Sequence, residues 1–181
     1  MSKPVKQDLA PKNSPTSEEH REAAPDSVRC AILTVSDTRN EDTDTSGALL
    51  MELLTQAGHD VIQYQIVPDD AAMISSVLAC WVSDARIQAV LTNGGTGIAG
   101  RDTTYEAIAG TLDKRIDGFG ELFRMLSFQE IGAAAMMSRA VGGIKGETVI
   151  LSMPGSRNAV KLATERLILP ELAHLVYETT K

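Results

Sequence analysis

Aromatic residues make up only 4% of this 181-residue chain, with one tryptophan, so its core must be built largely from aliphatic side chains. Basic residues are also scarce: 17 Lys and Arg stand against 24 Asp and Glu, a formal net charge of -7. That balance excludes a nucleic-acid surface, which carries a basic excess, and any anionic ligand must find a local pocket instead. Cys30 and Cys80 lie far apart with no C-x-x-C or Cys/His ligand spacing. A disulfide framework and a cysteine metal site therefore drop out, and both read as buried reduced thiols. There is no run of about 18 apolar residues to span a membrane and no apolar secretory core near the N-terminus. The chain is accordingly expected in the cytoplasm, away from membranes. His59 and His174 stand alone, and neither Ser36 nor Ser156 has an obvious His partner, so a nucleophilic hydrolase is unsupported.

What is present is an alternating α/β pattern. With 43% hydrophobic residues the chain can build one domain with a sizeable core. Residues 1–27 carry four prolines and almost nothing apolar, and read as a disordered tail. From Val28 the run V-R-C-A-I-L-T-V-S has strand length and β-branched content, so the domain is assigned to residues 28–181. Leu49, Leu50, Leu53, Leu54 and Ala57 recur at helical spacing before Gly58. D-V-I-Q-Y-Q-I-V is a second strand. The helix after it is entered through Pro68 and an acidic cap, with Ile74, Val77, Leu78 and Trp81 on one face. I-Q-A-V-L-T is a third strand, and Thr103-x-x-Glu106 carries a capping-box signature for the next helix. Residues 118–140 are helical in composition with glycines expected to interrupt them, E-T-V-I-L-S-M is a fourth strand, and a last helical region follows that Pro170 would split. The expected fold is a three-layer α/β domain, a mostly parallel sheet with helices on both faces.

In such sheets ligands bind beyond the carboxyl ends of the strands, where successive loops converge. The polar segments there are S-D-T-R (36–39), P-D-D (68–70), N-G-G-T-G (93–97) and P-G-S-R (154–157), which should share one edge. The stretch T-N-G-G-T-G-I-A-G-R-D contains a G-x-G-x-x-G pattern, but it follows the third strand, and a helical stretch occupies the place of the next strand that should end in an acidic residue. It also fails as a P-loop, because Arg101 and Asp102 stand where Lys and Ser/Thr belong. What remains is an anion nest: Gly94, Gly95 and Gly97 turn backbone N–H groups inward while Thr92 and Thr96 supply hydroxyls. The plainer alternative is a turn that serves tight strand-to-helix packing.

Asp69 and Asp102 each follow a strand and should project over the same edge. Two carboxylates beside a phosphate site suit a divalent cation. Each has a second reading, Asp69 or Asp70 as a helix cap and Asp102 as an Asx turn. Arg101, Arg139, Lys145, Arg157 and Lys161 are candidates for a local positive field or for plain surface charge. Met125, Met136 and Met137, with Leu122, Phe123, Leu126 and Phe128, read as core packing or a subunit contact.

The series L-T-V-S-D, D-T-S-G, V-P-D-D, T-N-G-G-T-G-I-A-G-R-D-T-T-Y-E-A-I, G-F-G-E-L-F-R-M-L-S-F-Q-E-I-G, S-R-A and M-P-G-S resembles the molybdenum cofactor biosynthesis protein B (MoaB) and molybdopterin adenylyltransferase (Mog) family, across residues 28–172. The resemblance implies an α/β domain assembled as trimers or hexamers. It implies an enzyme that binds molybdopterin and magnesium ATP, transfers AMP to the terminal phosphate of the pterin and releases pyrophosphate. Asp69 and Asp102 fall on the acids implicated in catalysis and Mg2+ binding. The glycine loops, carried over to Gly94, Gly95, Thr96, Gly97, Pro154, Gly155 and Ser156, would cradle the pterin phosphate. Ser36 and Asp37 would lie near the nucleotide, and Thr92, Arg101, Ser138 and Arg139 complete the substrate-binding set. The 118–132 segment and M-P-G-S are closer to the protein B branch, some of whose members lack these acids. The alternative function is a molybdopterin-binding protein of the same pathway without adenylyl transfer.

Overall fold

The computed structural model describes residues 23–100 and 102–181, so residues 1–22 of the expected tail and Arg101 lie outside the described residues. The first strand, β1 (Arg29–Val35), is buried from Cys30 onward, as its continuous apolar run requires of a strand covered on both faces. Its side chains alternate: Cys30 and Ile32 join one core cluster, and Ala31, Leu33 and Val35 join the other.

Helix α1 (Thr45–Gln56) leads to β2 (Asp60–Val67), and α2 (Ala71–Val82) leads to β3 (Ala89–Gly94). Then come α3 (Thr104–Thr111), the short β4 (Lys114–Arg115), α4 (Asp117–Ile131), a 3-10 segment (Gly132–Met137), β5 (Val141–Lys145), β6 (Thr148–Met153), α5 (Arg157–Ala163) and α6 (Leu169–Thr179). The sheet order is β2-β1-β3-β6-β5-β4. The four strands legible in the sequence, β2, β1, β3 and β6, are contiguous and parallel. β5 and β4 add an antiparallel edge that the sequence pattern did not reveal. Two glycines in V-G-G-I-K depress strand propensity, and two-residue β4 is too short to show a period.

Leu49, Leu50, Leu54, Phe123, Val160 and Leu172 cover one face of the sheet, and Ile74, Leu78, Trp81 and Ile108 cover the other. Three layers result. Because β2 and β3 lie on opposite sides of β1, the chain reverses direction across the sheet there. That reversal opens a crevice at the carboxyl ends of β1 and β3.

Several local expectations change. Asp70 caps α2, accepting from the Met73 N–H at 2.8 Å. Thr103 makes no capping bond, so the capping box is absent; its hydroxyl donates to Asp69 and Glu106 pairs with Arg139. Gly132, at φ 64°, ends α4, whereas Gly118 and Gly120 lie inside it. The last helical region is interrupted just before Pro170, where a π segment at Thr164–Ile168 separates α5 from α6 and Pro170 sits in the first turn of α6. Cys80 is exposed, and only Cys30 is buried, its thiol pushed up to about 12 by burial and the nearby Asp60 charge. In the Met-rich segment Phe123 and Leu126 enter the core, but Leu122, Met125, Phe128, Ile131, Met136 and Met137 are exposed. No helix among the described residues is long and apolar enough to cross a membrane.

Leu91 sits fully buried on the central strand β3. Leu91→Ala is expected to cost about 2–5 kcal/mol, read from the midpoint of urea unfolding at unchanged slope.

Candidate functional site

Three strand ends meet with backbone against backbone. Gly94 ends β3 at φ 98°, and a Cβ there would collide with the Val35 carbonyl oxygen of β1. A Cβ on Gly155, in the turn after β6, would lie 2.9 Å from the Gly94 Cα. Gly95 follows at φ 62°. Only glycine fits these approaches, and two positive-φ glycines in succession let the chain turn sharply where the strands end.

Over this floor lies a cavity of about 540 Å³, lined by Val35, Ser36, Thr38, Arg39, Gly94 to Gly97, Met137, Ser138 and Pro154 to Ser156. Of the expected substrate-binding residues, the structure thus gathers Ser36, Gly94, Gly95, Thr96, Gly97, Ser138, Pro154, Gly155 and Ser156 on one wall. Thr92 is not among them. It is fully buried within the sheet, so its hydroxyl does not reach the cavity. A second cavity of about 410 Å³ lies beside it, lined by Ile98, Ala99, Gly100, Asp102, Thr103, Glu106 and Arg139.

The two acids brace the glycine loop between these cavities. Asp69 Oδ1 accepts from the Thr103 N–H at 3.0 Å, the Thr103 hydroxyl at 2.9 Å and the Thr104 hydroxyl at 3.1 Å. Its Oδ2 is buried with no hydrogen-bond partner among the described residues, and it would lie 2.8 Å from a Cβ on Gly95. Asp102 Oδ2 accepts from the Ala99 N–H at 2.8 Å and presses so close to Gly97 that a Cβ there would collide with it. Its bond reaches back three residues, so the forward Asx turn is not formed. Asp37 lines neither cavity; its Oδ1 accepts from the Asp69 N–H at 3.0 Å and ties the first-strand loop to the second.

The cations divide differently from expectation. Arg139 donates from Nε to the Thr96 carbonyl at 3.0 Å and from Nη2 to the Gly97 carbonyl, pairs with Glu106 and stacks 4.7 Å over the Tyr105 ring. It holds the loop's carbonyls outward, and the Glu106 carboxyl lies below its usual range because the guanidinium donates to it. Lys145 sits beside the start of β6, at the opposite edge of the sheet, paired with Asp113. Lys161 lies 3.9 Å from Glu165, and Arg157 bonds the Thr45 carbonyl, neither lining either cavity.

Residues 31–174 match the family described as "Probable molybdopterin binding domain". The chain belongs to the MoaB/Mog family. It is 57% identical over 165 residues to molybdenum cofactor biosynthesis protein B of Halalkalibacterium halodurans, covering 91% of this chain and 97% of that one. A crystal structure of molybdenum cofactor biosynthesis protein B superposes with a TM-score of 0.84 at 55% identity, covering 87% of this chain and 98% of the other. The tungsten cofactor synthesizing protein MoaB from Pyrococcus furiosus gives a TM-score of 0.78 at 37% identity, with 87% and 100% covered.

One part of the surroundings of the larger cavity was not singled out from the sequence. Arg39 lines the main cavity, and behind it Asp44, only 1% exposed, gathers donors from Gly47 N–H at 3.0 Å, Ser46 at 2.9 Å and Tyr64 at 2.8 Å. Burial alone would raise the Asp44 carboxyl, but hydrogen bonds from Gly47, Thr34, Tyr64 and Ser46 together hold it below its usual value. The D-T-S-G motif was the available signal: an acid three residues before a small helical residue reads as an N-cap, and Asp44 is one.

A carboxyl with a lowered folded pKa stabilises fully above its ordinary 3.8, and that stability is lost as the pH falls through the folded value. Asp44→Asn is therefore expected to cost about 1–3 kcal/mol at neutral pH, with the gap from wild type narrowing below pH 3.8 in denaturant titrations. A gap independent of pH would contradict the charged-cap assignment. Gly94→Ala is expected to destabilise by more than about 1 kcal/mol, because the added methyl meets backbone that cannot step aside; thermal unfolding checks it.

Proposed function

We propose that this protein binds molybdopterin in the larger cavity and adenylylates its terminal phosphate with ATP, releasing pyrophosphate. The observation that carries this reading is the placement of one glycine loop between two cavities, with Asp69 against Gly95 and Asp102 against Gly97. Two compartments and one shared phosphate-sized nest suit a transfer between two phosphorylated substrates.

In the reaction an oxygen of the pterin's terminal phosphate attacks the α-phosphorus of ATP. A new O–P bond forms as the α–β bridge breaks, and the bridging electron pair leaves with pyrophosphate. The attacking oxygen is already ionised at neutral pH, so no general base is required. The loop N–H groups orient the nucleophilic phosphate, and Arg139 fixes the loop by holding its carbonyls away from the ligand.

The acids fit a magnesium ion. Asp69 Oδ2 is a buried carboxylate oxygen without a donor, which suits a hard cation more than a hydrogen bond. No group of three or more His, Cys, Asp or Glu suited to a metal occurs among the described residues, which fits a site completed by substrate phosphates. Asp69 and Asp102 would hold the ion, and bound magnesium supplies charge neutralisation at the α-phosphate and the leaving group.

The same reading carries a homo-oligomer, a trimer or hexamer, and the exposed Leu122, Met125, Phe128 and Ile131 of α4 support it as apolar surface. It also carries a cytoplasmic location.

Incubation with molybdopterin, ATP and magnesium is expected to give adenylylated pterin and pyrophosphate. Asp102→Ala should lower turnover by at least about a hundredfold with molybdopterin affinity little changed. Wild-type binding without product would assign the chain to a binding role in the same pathway.

A further inference from the structure

Resting on that reading of the larger cavity, the geometry points to Arg39 as the side chain that recognises a terminal phosphate group bound there, with Asp44 holding it in place. The cavity wall consists of backbone, hydroxyls and small apolar groups; Arg39 is the one charged side chain among its described lining residues. In a chain of net charge -7, that single cation decides the local sign.

The tether is one-sided. Nη1 donates to Asp44 Oδ1 at 3.2 Å, to the Ser46 hydroxyl and to the Gly155 carbonyl at 3.3 Å. All three contacts use one nitrogen of a five-donor fork, which leaves Nε and Nη2 to serve a planar pair of phosphate oxygens. The side chain is 32% exposed, whereas that of Asp44 is 0% exposed, so the acid is interior and the guanidinium stands at the wall. Asp44 also has donors without Arg39: the Gly47 N–H and the hydroxyls of Ser46, Tyr64 and Thr34. A carboxylate already holding four donors does not need a fifth from a solvent-facing arginine.

The bond to the Gly155 carbonyl adds a placement argument. It fixes the guanidinium to the turn after β6, whose Gly155 packs on Gly94. Arg39 is thereby held against the same backbone junction that forms the floor. The first-strand loop is shaped to bring it there, since Ser36 Oγ accepts from the Arg39 N–H at 3.2 Å and the Thr38 N–H at 3.3 Å. A glycine floor that admits close approach and a forked cation at the wall are complementary to a dianionic phosphate.

The test compares wild type, Arg39→Gln and Arg39→Lys by equilibrium dialysis against molybdopterin, dephosphorylated molybdopterin and ATP with magnesium, with thermal unfolding recorded for each. Arg39→Gln is expected to weaken molybdopterin at least about tenfold and Arg39→Lys severalfold, since lysine keeps the charge without the fork. Dephosphorylated molybdopterin should bind all three proteins alike. A loss confined to ATP would support phosphate recognition with the nucleotide as its source. Equal affinities throughout, or equal loss of the phosphorylated and dephosphorylated pterins, would overturn the assignment and make Arg39 a structural clamp. If Arg39→Gln does not fold, the selectivity of Arg39→Lys decides alone. Wild-type protein that binds neither pterin would remove the proposed substrate, and the ATP arm would then judge Arg39 separately.

Discussion

The site depends on the absence of side chains where three parallel strands end. Val35 of β1, Gly94 of β3 and Gly155 after β6 approach so closely that a single methyl on either glycine would meet backbone. Backbone cannot rotate away as a side chain can, so the junction admits no side chain at either glycine. Everything else at the site is arranged around that junction. The cavity rises over it, the acids press against the loop that leaves it, Arg39 is bonded to the Gly155 carbonyl and Arg139 to the Thr96 carbonyl of that loop.

Charge is partitioned around the same loop. On one side, the larger cavity contains a cation and no acid among its described lining residues. On the other, Asp102 and Glu106 line the smaller cavity, with Arg139 compensating Glu106. Asp37, Asp69 and the start of α3 form a relay of hydrogen bonds that crosses three loops in succession. Moving one loop would break bonds in the others, so these segments act as one unit although they are distant in sequence. The acids near the loop are hydrogen-bonded or ion-paired and none of them lines the larger cavity among the described residues.

The parallel core was legible because its strands are continuous apolar runs and its helices carry a regular stripe, and the four polar loops after those strands do share one edge. That Asp69 and Asp102 lie beside the glycine loop was legible from their place after the strands. β5 and β4 were not, because paired glycines and a two-residue strand leave no hydrophobic period to read. Arg39 escaped notice as one basic residue in a polar loop, its importance set by Asp44 and Gly155, the latter 116 residues away in the chain. Thr92 failed in the opposite sense: it sits in the glycine-rich stretch, but strand alternation turns its side chain into the protein. The capping signature at Thr103 failed because tertiary partners took both of its groups.

The most direct test of the central claim is a crystal structure of this protein with molybdopterin bound. The account predicts the terminal phosphate seated on the Gly94 to Gly97 backbone, between Pro154 to Ser156 and the Ser36 loop. A phosphate bound elsewhere on the molecule, with the glycine junction facing solvent, would contradict it and leave those glycines with a packing role alone.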